Sequence, residues 1–196
     1  YLYPQETKYG LFAVKTSLDD ITRFVLIKDS VETILHTPGR YFNSNVSVND
    51  KYIVWEESIP DKRWQKRNYS VIKLFELEKR KERMLTRKSR YFFPVLSPDS
   101  RRIACIEITE QNIFSLVVIS IEEGSIENDI SFIKEEQIQA LTWLSNEELA
   151  ILTLKNNIKL LKKIDLSTKT VEELFNSGTI NIKQPVNANN FVLFTR

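Results

Sequence analysis

The sequence predicts an all-β fold built from repeated four-stranded antiparallel sheets. The triplet Arg40-Tyr41-Phe42 recurs as Arg90-Tyr91-Phe92, and the match continues at the same offset of 50 residues. An internal repeat of this period is typical of stacked supersecondary units. The apolar segments are short, rich in Val, Ile, Phe and Tyr, and separated by turn residues, as in strands. Four further pairs keep the offset: Ser47/Ser97, Lys51/Arg101, Ile53/Ile103 and Glu57/Glu107.

The composition of the 196 residues is that of a folded chain. A hydrophobic content of 42% is enough for a sizeable core, and only 4 Gly and 6 Pro argue against disorder. The net charge of +2 favours neither nucleic acid nor a membrane surface, and no run of about 18 apolar residues could span a bilayer. The chain begins at Tyr1 without Met, which suggests a processed or excised segment, so a missing leader says nothing about compartment. Cys105 is the single cysteine and is expected to be a buried apolar residue.

The clearest repeat unit is predicted between about Phe92 and Lys134. After its first strand, Ser97-Pro98-Asp99-Ser100 forms a tight turn, because Pro fixes φ and Asp can bond nearby backbone amides. The third strand is apolar almost throughout, and Glu122-Glu123-Gly124-Ser125 turns the chain into a weaker fourth strand. The predicted strands are 92–96, 102–108, 114–121 and 126–133.

The other units follow the same plan, and the two ends are expected to be partial. The preceding unit is predicted to turn at Ser47-Val48-Asn49-Asp50, and the following one at Ser145-Asn146-Glu147-Glu148, with a hairpin at Asn156-Asn157. The first unit is predicted to begin only at a second strand, 9–14, and 186–194 resembles the first two strands of a further unit. The predicted units cover about 1–39, 40–89, 90–137, 138–184 and 185–196, as a single domain or fragment.

Four-stranded sheets that repeat every 40–50 residues or so are typical of the blades of a β-propeller. A two-sheet sandwich is the competing fold, and the in-register repeat favours blades. Closed propellers have about four to eight blades, whereas this chain has about four with incomplete ends. We therefore expect an incomplete or open arc of a larger protein, with a four-bladed ring of unusual closure as the alternative.

One segment resembles a known repeat. The residues from Leu96 to Ala104 read Leu-Ser-Pro-Asp-Ser-Arg-Arg-Ile-Ala. They are similar to the motif of TolB-like, WD-type propellers: an apolar residue, Ser-Pro-Asp-Gly, a basic residue and Ile-Ala. Ser100 stands where Gly is usual, and the units at Ser47 and Ser145 lack the Pro. The resemblance implies a propeller of a bacterial protein in the periplasm or cell envelope. Similar repeats form the propeller domains of prolyl oligopeptidase-like serine peptidases.

Strand connectivity places the candidate binding residues on one face of such a propeller. In an up-and-down blade, the connection between blades and the loop between the second and third strands lie at the same end. The long loop Glu57–Asn68 and both copies of the triplet therefore share a face, where an exposed Trp among Arg side chains could contact a partner. The alternatives are a Trp that packs back on its blade and triplets that serve only blade packing. The candidates are Trp64, Arg63, Arg67, Arg40, Tyr41, Arg90 and Tyr91.

Charge is distributed unevenly along the chain. Residues 61–102 contain 14 Lys or Arg against 5 Asp or Glu, whereas residues 107–148 contain 1 Lys against 10 Asp or Glu. This asymmetry could let neighbouring blades attract each other weakly or steer a charged partner. The basic segment that contains Lys79, Arg80, Lys81, Arg83, Arg87 and Lys88 is predicted on a fourth strand without aromatic residues. It therefore favours a protected sheet edge over a nucleic-acid site.

No catalytic or metal-binding pattern stands out. His36 is the single histidine, no Gly-x-Ser-x-Gly elbow is present, and no Cys/His spacing suits zinc. The pair Asp19-Asp20 lacks the calcium-loop pattern. We therefore expect a non-enzymatic module without cofactor, nucleic acid or metal, which binds a protein, a peptide or other domains of the same polypeptide. The alternatives are a propeller that gates the substrate of a larger peptidase, and a structural scaffold.

Overall fold

The computed structural model describes residues 1–40, 45–64, 67–132, 135–178, 182–183, 185–188 and 191–193. These residues form strands and turns, with no helix among them. The strands are β1 Leu2–Thr7, β2 Gly10–Lys15, β3 Arg23–Lys28, β4 Val31–His36, β5 Val46–Val48, β6 Tyr52–Pro60, β7 Asn68–Glu76, β8 Lys81–Met84, β9 Tyr91–Leu96, β10 Arg102–Ile108, β11 Phe114–Ser120, β12 Ile126–Ser131, β13 Glu136–Trp143, β14 Glu148–Lys155, β15 Ile158–Asp165, β16 Thr170–Asn176, β17 Val186–Ala188 and β18 Phe191–Leu193.

The strands form four four-stranded sheets, each built from consecutive strands in sequence order: β1 to β4, β5 to β8, β9 to β12, and β13 to β16. A two-stranded sheet, β17 with β18, follows them. The chain divides into two compact units, Tyr1–Pro94 (unit 1) and Val95–Arg196 (unit 2). The predicted class, all-β with four-stranded antiparallel blades, is confirmed.

The first blade is complete, so the prediction of a partial first unit is wrong. Strand β1 pairs with β2 from Leu2, opposite Val14, to Thr7, opposite Gly10. Strand β1 could not be recognised from the sequence, because apolar and polar residues do not alternate cleanly along it. Only Thr7 of its six residues is buried.

One of the predicted turns departs from the predicted register. Ser47 and Val48 lie within β5, paired with Val54 and Ile53, so the turn begins only at Asn49. Ser97 instead follows β9, and its backbone N–H bonds the carbonyl of Arg102. The offset of 50 residues therefore does not hold through this turn.

In the motif turn of the third blade, Ser100 occupies a position where the backbone favours glycine. Ser100 has a φ of 62°, in the left-handed region that glycine occupies without strain. This conformation accounts for the usual Gly at that position of the motif. The hairpin predicted at Asn156-Asn157 is confirmed, because both residues have positive φ and join β14 to β15.

Each unit has its own apolar core. In unit 1, Trp55 is fully buried and packs edge-on against Phe24, with ring centroids 5.1 Å apart. Around this pair lies a cluster of side chains from the first two blades: Phe12, Val14, Val46, Ile53, Phe75 and Leu77. In unit 2, the apolar third strand β11 is buried as predicted, and so is Cys105.

Side-chain hydrogen bonds join the first strands of neighbouring blades within each unit. In unit 1, the Gln5 side-chain amide donates to the carbonyl of Val46 (2.9 Å) and accepts from the N–H of Val48 (3.0 Å). The amide thus bonds the backbone of β5 as a neighbouring strand would. In unit 2, the indole N–H of Trp143 donates to the carbonyl of Val95 (3.0 Å). Blades in each unit are thus connected by polar links as well as by apolar packing.

The fourth strands protect their open edges. The pairing register shifts in β4, β12 and β16, which leaves one extra residue in each of these strands. Bulges of this kind hinder the pairing of an edge strand with another chain. The fourth strand of the second blade, β8, instead carries Lys81 and Arg83, and edge charges have the same effect.

Candidate functional site

Four loops lie at one end of unit 1, which we call the loop end. Their described residues are those of the β2–β3 loop (16–22), the connection after β4 (37–40 and 45), the β6–β7 loop (61–64 and 67) and the connection after β8 (85–90). The antiparallel pairing of consecutive strands brings them to the same end, and the N–H of Ser58 bonds the carbonyl of Arg40 there (2.9 Å). Tyr41 lies outside the described residues.

The β6–β7 loop is shorter than predicted, because β6 continues to Pro60 and pairs with Asn68. The Asp61 carboxylate organises the loop. It accepts hydrogen bonds from the backbone N–H of Arg63 (2.7 Å) and Trp64 (3.2 Å) and from the Tyr69 hydroxyl (2.6 Å). These bonds, led by that of Tyr69, hold the pKa of Asp61 below its ordinary value. These bonds therefore fix the segment from Asp61 to Trp64.

Trp64 projects into solvent at the tip of this loop, with 66% of its surface exposed. It does not pack back on its blade, which was one of the two interpretations of the sequence. Its neighbours Lys62 and Arg63 are exposed, and so is Arg67, whose guanidinium lies 5.4 Å from the centre of the Tyr69 ring. The described part of the loop, 61–64 and 67, thus combines one exposed aromatic side chain with three exposed cations.

The triplet residues divide between surface and core. Arg40 is exposed and Arg90 is half-buried at the loop end. Tyr91 is only 8% exposed, and its carbonyl accepts a hydrogen bond from the Ser70 hydroxyl (2.6 Å). In this structure Tyr91 is a packing residue and offers no surface to a partner.

The connection after β8 adds two cations that the sequence did not place here. Arg87 and Lys88 were predicted on the fourth strand, but β8 ends at Met84 and both residues are exposed in the connection. Hydrogen bonds hold this connection against β7. The N–H of Ser70 bonds the carbonyl of Ser89 (2.9 Å), and the Ser89 hydroxyl bonds the carbonyl of Ser70 (2.8 Å). In the sequence, the small polar residues Thr86 and Ser89 could have indicated that the strand ends before Arg87 and Lys88.

A buried carboxylate on β6 fixes the connection that enters the second blade. Glu57 accepts hydrogen bonds from the backbone N–H of Gly39 (2.9 Å) and the indole N–H of Trp55 (3.3 Å), and its other oxygen lies 2.8 Å from Lys73 Nζ. A Cβ at position 39 would lie 2.5 Å from Glu57 Oε1, so the close approach requires glycine.

Glu56, the preceding residue, fixes the segment that leaves the second blade. Adjacent residues of a strand point to opposite faces of the sheet. Glu56 is 4% exposed and accepts a hydrogen bond from the N–H of Phe93 (2.6 Å). The two glutamates thus hold chain segments on both sides of the second blade, one next to Arg40 and the other three residues after Arg90.

His36 belongs to this buried network. Its Nε2 lies 2.8 Å from Glu82 Oε2, an ion pair only when the ring is protonated, and Glu82 also contacts Lys73 (2.9 Å). The ring packs against Trp55 and Phe75 at 5.2 and 5.3 Å. Burial lowers the pKa of His36 even though Glu82 opposes this shift. The imidazole is thus part of the interblade packing.

The described residues contain no group of three or more His, Cys, Asp or Glu side chains that could hold a metal ion. Within the same residues, no helix is long and apolar enough to cross a membrane.

Replacement of Glu57 by Gln is expected to make the free energy of unfolding less dependent on pH in the acidic range. Burial raises the pKa of Glu57, but Lys73 and the hydrogen bonds from Gly39 and Trp55 together leave it below its ordinary value. A depressed carboxyl pKa contributes stability above the unfolded-state pKa, and this contribution is lost as the pH falls through the folded-state pKa. The wild-type protein should therefore lose more free energy of unfolding between about pH 7 and about pH 3 than Glu57→Gln.

Urea unfolding at several pH values measures this difference. The exposed Glu122 provides a matched control, and Glu122→Gln should keep the wild-type dependence on pH. Equal slopes for both variants would contradict the role given to Glu57.

The fold has counterparts among solved structures. A putative TolB from Agrobacterium tumefaciens superposes with a TM-score of 0.62 at 10% identity, over 85% of this chain and 61% of that one. The β-propeller domain of the Trilobed protease from Pyrococcus furiosus gives 0.58 at 15% identity, over 81% and 54%. An oligogalacturonate lyase from Vibrio parahaemolyticus gives 0.62 at 14% identity, over 86% and 50%.

The fold is that of a TolB-like β-propeller. No family model matches the sequence, and no curated protein matches it either. At these identities the structural matches establish the fold alone. The chain spans between half and about three fifths of the length of these three proteins.

Proposed function

We propose that this chain is a non-enzymatic propeller module that binds a protein or peptide through the loop end of unit 1. The observation that carries the proposal is Trp64, which is 66% exposed on a loop that Asp61 holds in place. Trp and Arg are enriched among residues that dominate protein interfaces. A loop ordered before binding loses less conformational entropy when it meets a partner.

The neighbouring loop of the first blade supports the same surface. Leu18 is fully exposed, and Ile21 has 61% of its surface exposed, both in the β2–β3 loop at the loop end. Three large apolar side chains are thus exposed at this end of the unit, and a partner that covers them would remove their apolar surface from water.

The proposed setting is a larger bacterial envelope protein, in the periplasm or at the cell envelope. The support is the blade motif at Leu96–Ala104 together with the fold shared with the putative TolB. The chain covers 61% of that protein, so further domains of the same polypeptide are also candidate partners.

Site-specific crosslinking tests the proposal. A photo-crosslinking residue at position 62, beside Trp64, should capture a protein from a native lysate of the source organism. The Trp64→Ala variant should reduce the captured amount about tenfold or more, because truncation of a central interface aromatic has effects of this size.

Val31→Ala is the matched control. Val31 is 64% exposed, nearly as much as Trp64, but begins β4 at the other end of the blade. This variant should capture as much as the parent. Capture that is absent, or that survives Trp64→Ala unchanged, would reject the loop end as the binding surface.

A second candidate function is the propeller of a larger peptidase, where it would bind or gate the substrate. The observation in its favour is the similarity to the propeller domain of the Trilobed protease. The full reading frame separates the two candidates, because a Gly-x-Ser-x-Gly segment followed by Asp and His would favour the peptidase.

A further inference from the structure

Unpaired positive charge is concentrated at the loop end of unit 1. Within the part of the chain that the structure describes, no carboxylate pairs with the side chains of four exposed cations there: Lys62, Arg63, Arg87 and Lys88. At the other end of unit 1, Lys79 has a carboxylate partner in Glu76 (2.9 Å), and at the loop end itself Arg23 is paired with Asp20 (2.6 Å).

The carboxylates of β6 and its loop do not neutralise these cations, because each has a different partner. Asp61 bonds the backbone of its own loop and the Tyr69 hydroxyl. Glu57 is paired with Lys73, and Glu56 accepts from the N–H of Phe93. Asp19 of the β2–β3 loop is exposed, but it is one carboxylate against four cations, so the described residues of the loop end keep an excess of positive charge that faces solvent.

We propose that the loop end binds an acidic peptide segment that contains an apolar residue. This inference rests on the proposed function and specifies the chemistry of the partner. Arginine side chains form bidentate hydrogen bonds with carboxylates, so Arg63 and Arg87 would hold acidic side chains of the segment. Trp64, at the same end, supplies the apolar contact. The positive field also speeds the encounter with a negatively charged chain.

A peptide fits this surface better than a nucleic acid. Proteins that bind single-stranded nucleic acid stack successive bases on several aromatic side chains. The described part of the β6–β7 loop has one aromatic, Trp64, and the connection 85–90 has none. Within these two described segments Trp64 is thus the one exposed aromatic, and with the exposed aliphatic side chains of Leu18 and Ile21 at the same end of the unit it suits an apolar side chain of a peptide.

Fluorescence anisotropy with the full chain tests this inference. Three labelled probes are compared: a peptide of Asp and Glu residues around one Leu, the same peptide with Asn and Gln, and a single-stranded oligonucleotide of equal charge. The acidic peptide should bind at least about tenfold more tightly than the neutral one. Its binding should weaken about tenfold between about 50 mM and about 300 mM salt.

Charge reversal locates the site. Arg63→Glu combined with Arg87→Glu should weaken binding of the acidic peptide about tenfold or more. Lys28→Glu combined with Lys51→Glu reverses two exposed charges at the other end of the same blades and should leave binding unchanged.

Several results would overturn the inference. They are equal binding of the neutral peptide, equal loss in the control variant, no binding at all, or tighter binding of the oligonucleotide, which would assign the surface to nucleic acid. Crosslinking at position 62 tests the proposed function independently of the chemistry of the partner. Capture that depends on Trp64, without a preference for acidic peptides, would reject only the partner chemistry.

Discussion

Replacement of Trp55 by Ala is expected to lower the free energy of unfolding by about 3–5 kcal/mol, the usual cost of truncating a buried aromatic side chain. Trp55 is fully buried between the first two blades of unit 1, edge-on to Phe24 and 5.2 Å from the His36 ring. Its loss opens a cavity and also removes an indole hydrogen bond to Glu57. Urea unfolding with amide hydrogen exchange measures the loss and locates it in unit 1.

Trp64→Ala is the matched control, because it removes the same side chain from an exposed position in the same unit. Its effect on stability should stay within about 0.5 kcal/mol. Comparable destabilisation by both variants would contradict the assignment of Trp55 to the core and of Trp64 to the surface. Trp55→Phe should retain part of the stability, since it keeps an aromatic ring but lacks the N–H.

Replacement of Lys73 by Met is expected to destabilise the protein by about 3 kcal/mol, because it leaves a buried carboxylate without its counter-charge. Lys73 lies 2.8 Å from Glu57 and 2.9 Å from Glu82, with its side chain only 13% exposed. Burial opposes the charge of Lys73, but the two carboxylates outweigh this effect and raise its pKa. Urea unfolding at neutral pH measures the change.

The double variant Lys73→Met/Glu57→Leu separates charge from packing. It removes both charges and should recover part of the lost stability, since an apolar pair often replaces a buried ion pair at little cost. Its connection at Gly39 would lose a hydrogen bond, so recovery should be incomplete. A double variant that is less stable than Lys73→Met would contradict this account, because the hydrogen bonds of Glu57 with Gly39 and Trp55 would then outweigh the cost of its unpaired charge.

Local chemistry made much of the fold predictable. The turn at Ser97-Pro98-Asp99-Ser100 and the hairpin at Asn156-Asn157 depend on backbone preferences of the residues themselves. The buried third strand β11 could be predicted because seven consecutive residues are apolar or small. Strand β1 could not, since its pairing with β2 is made by backbone groups and only Thr7 is buried.

The candidate site was predictable only in part. The sequence indicated a basic loop with Trp64, because its length and composition differ from those of the corresponding loops. It did not place Arg87 and Lys88 there, since the end of β8 depends on hydrogen bonds between Ser89 and β7. It left Tyr91 open between a binding role and blade packing, and the burial of that side chain after β8 agrees with packing.

The sequence alone determined that this protein is a series of four-stranded blades, because turn residues and apolar runs act over a few neighbouring positions. Tertiary structure decided which of two chemically identical tryptophans is core and which is surface: Trp55 is buried and Trp64 is 66% exposed. It also decided that Glu56 and Glu57 hold the connections beside the second blade. Burial and long-range hydrogen bonds join residues far apart in the chain, so they exist only once the blades have packed.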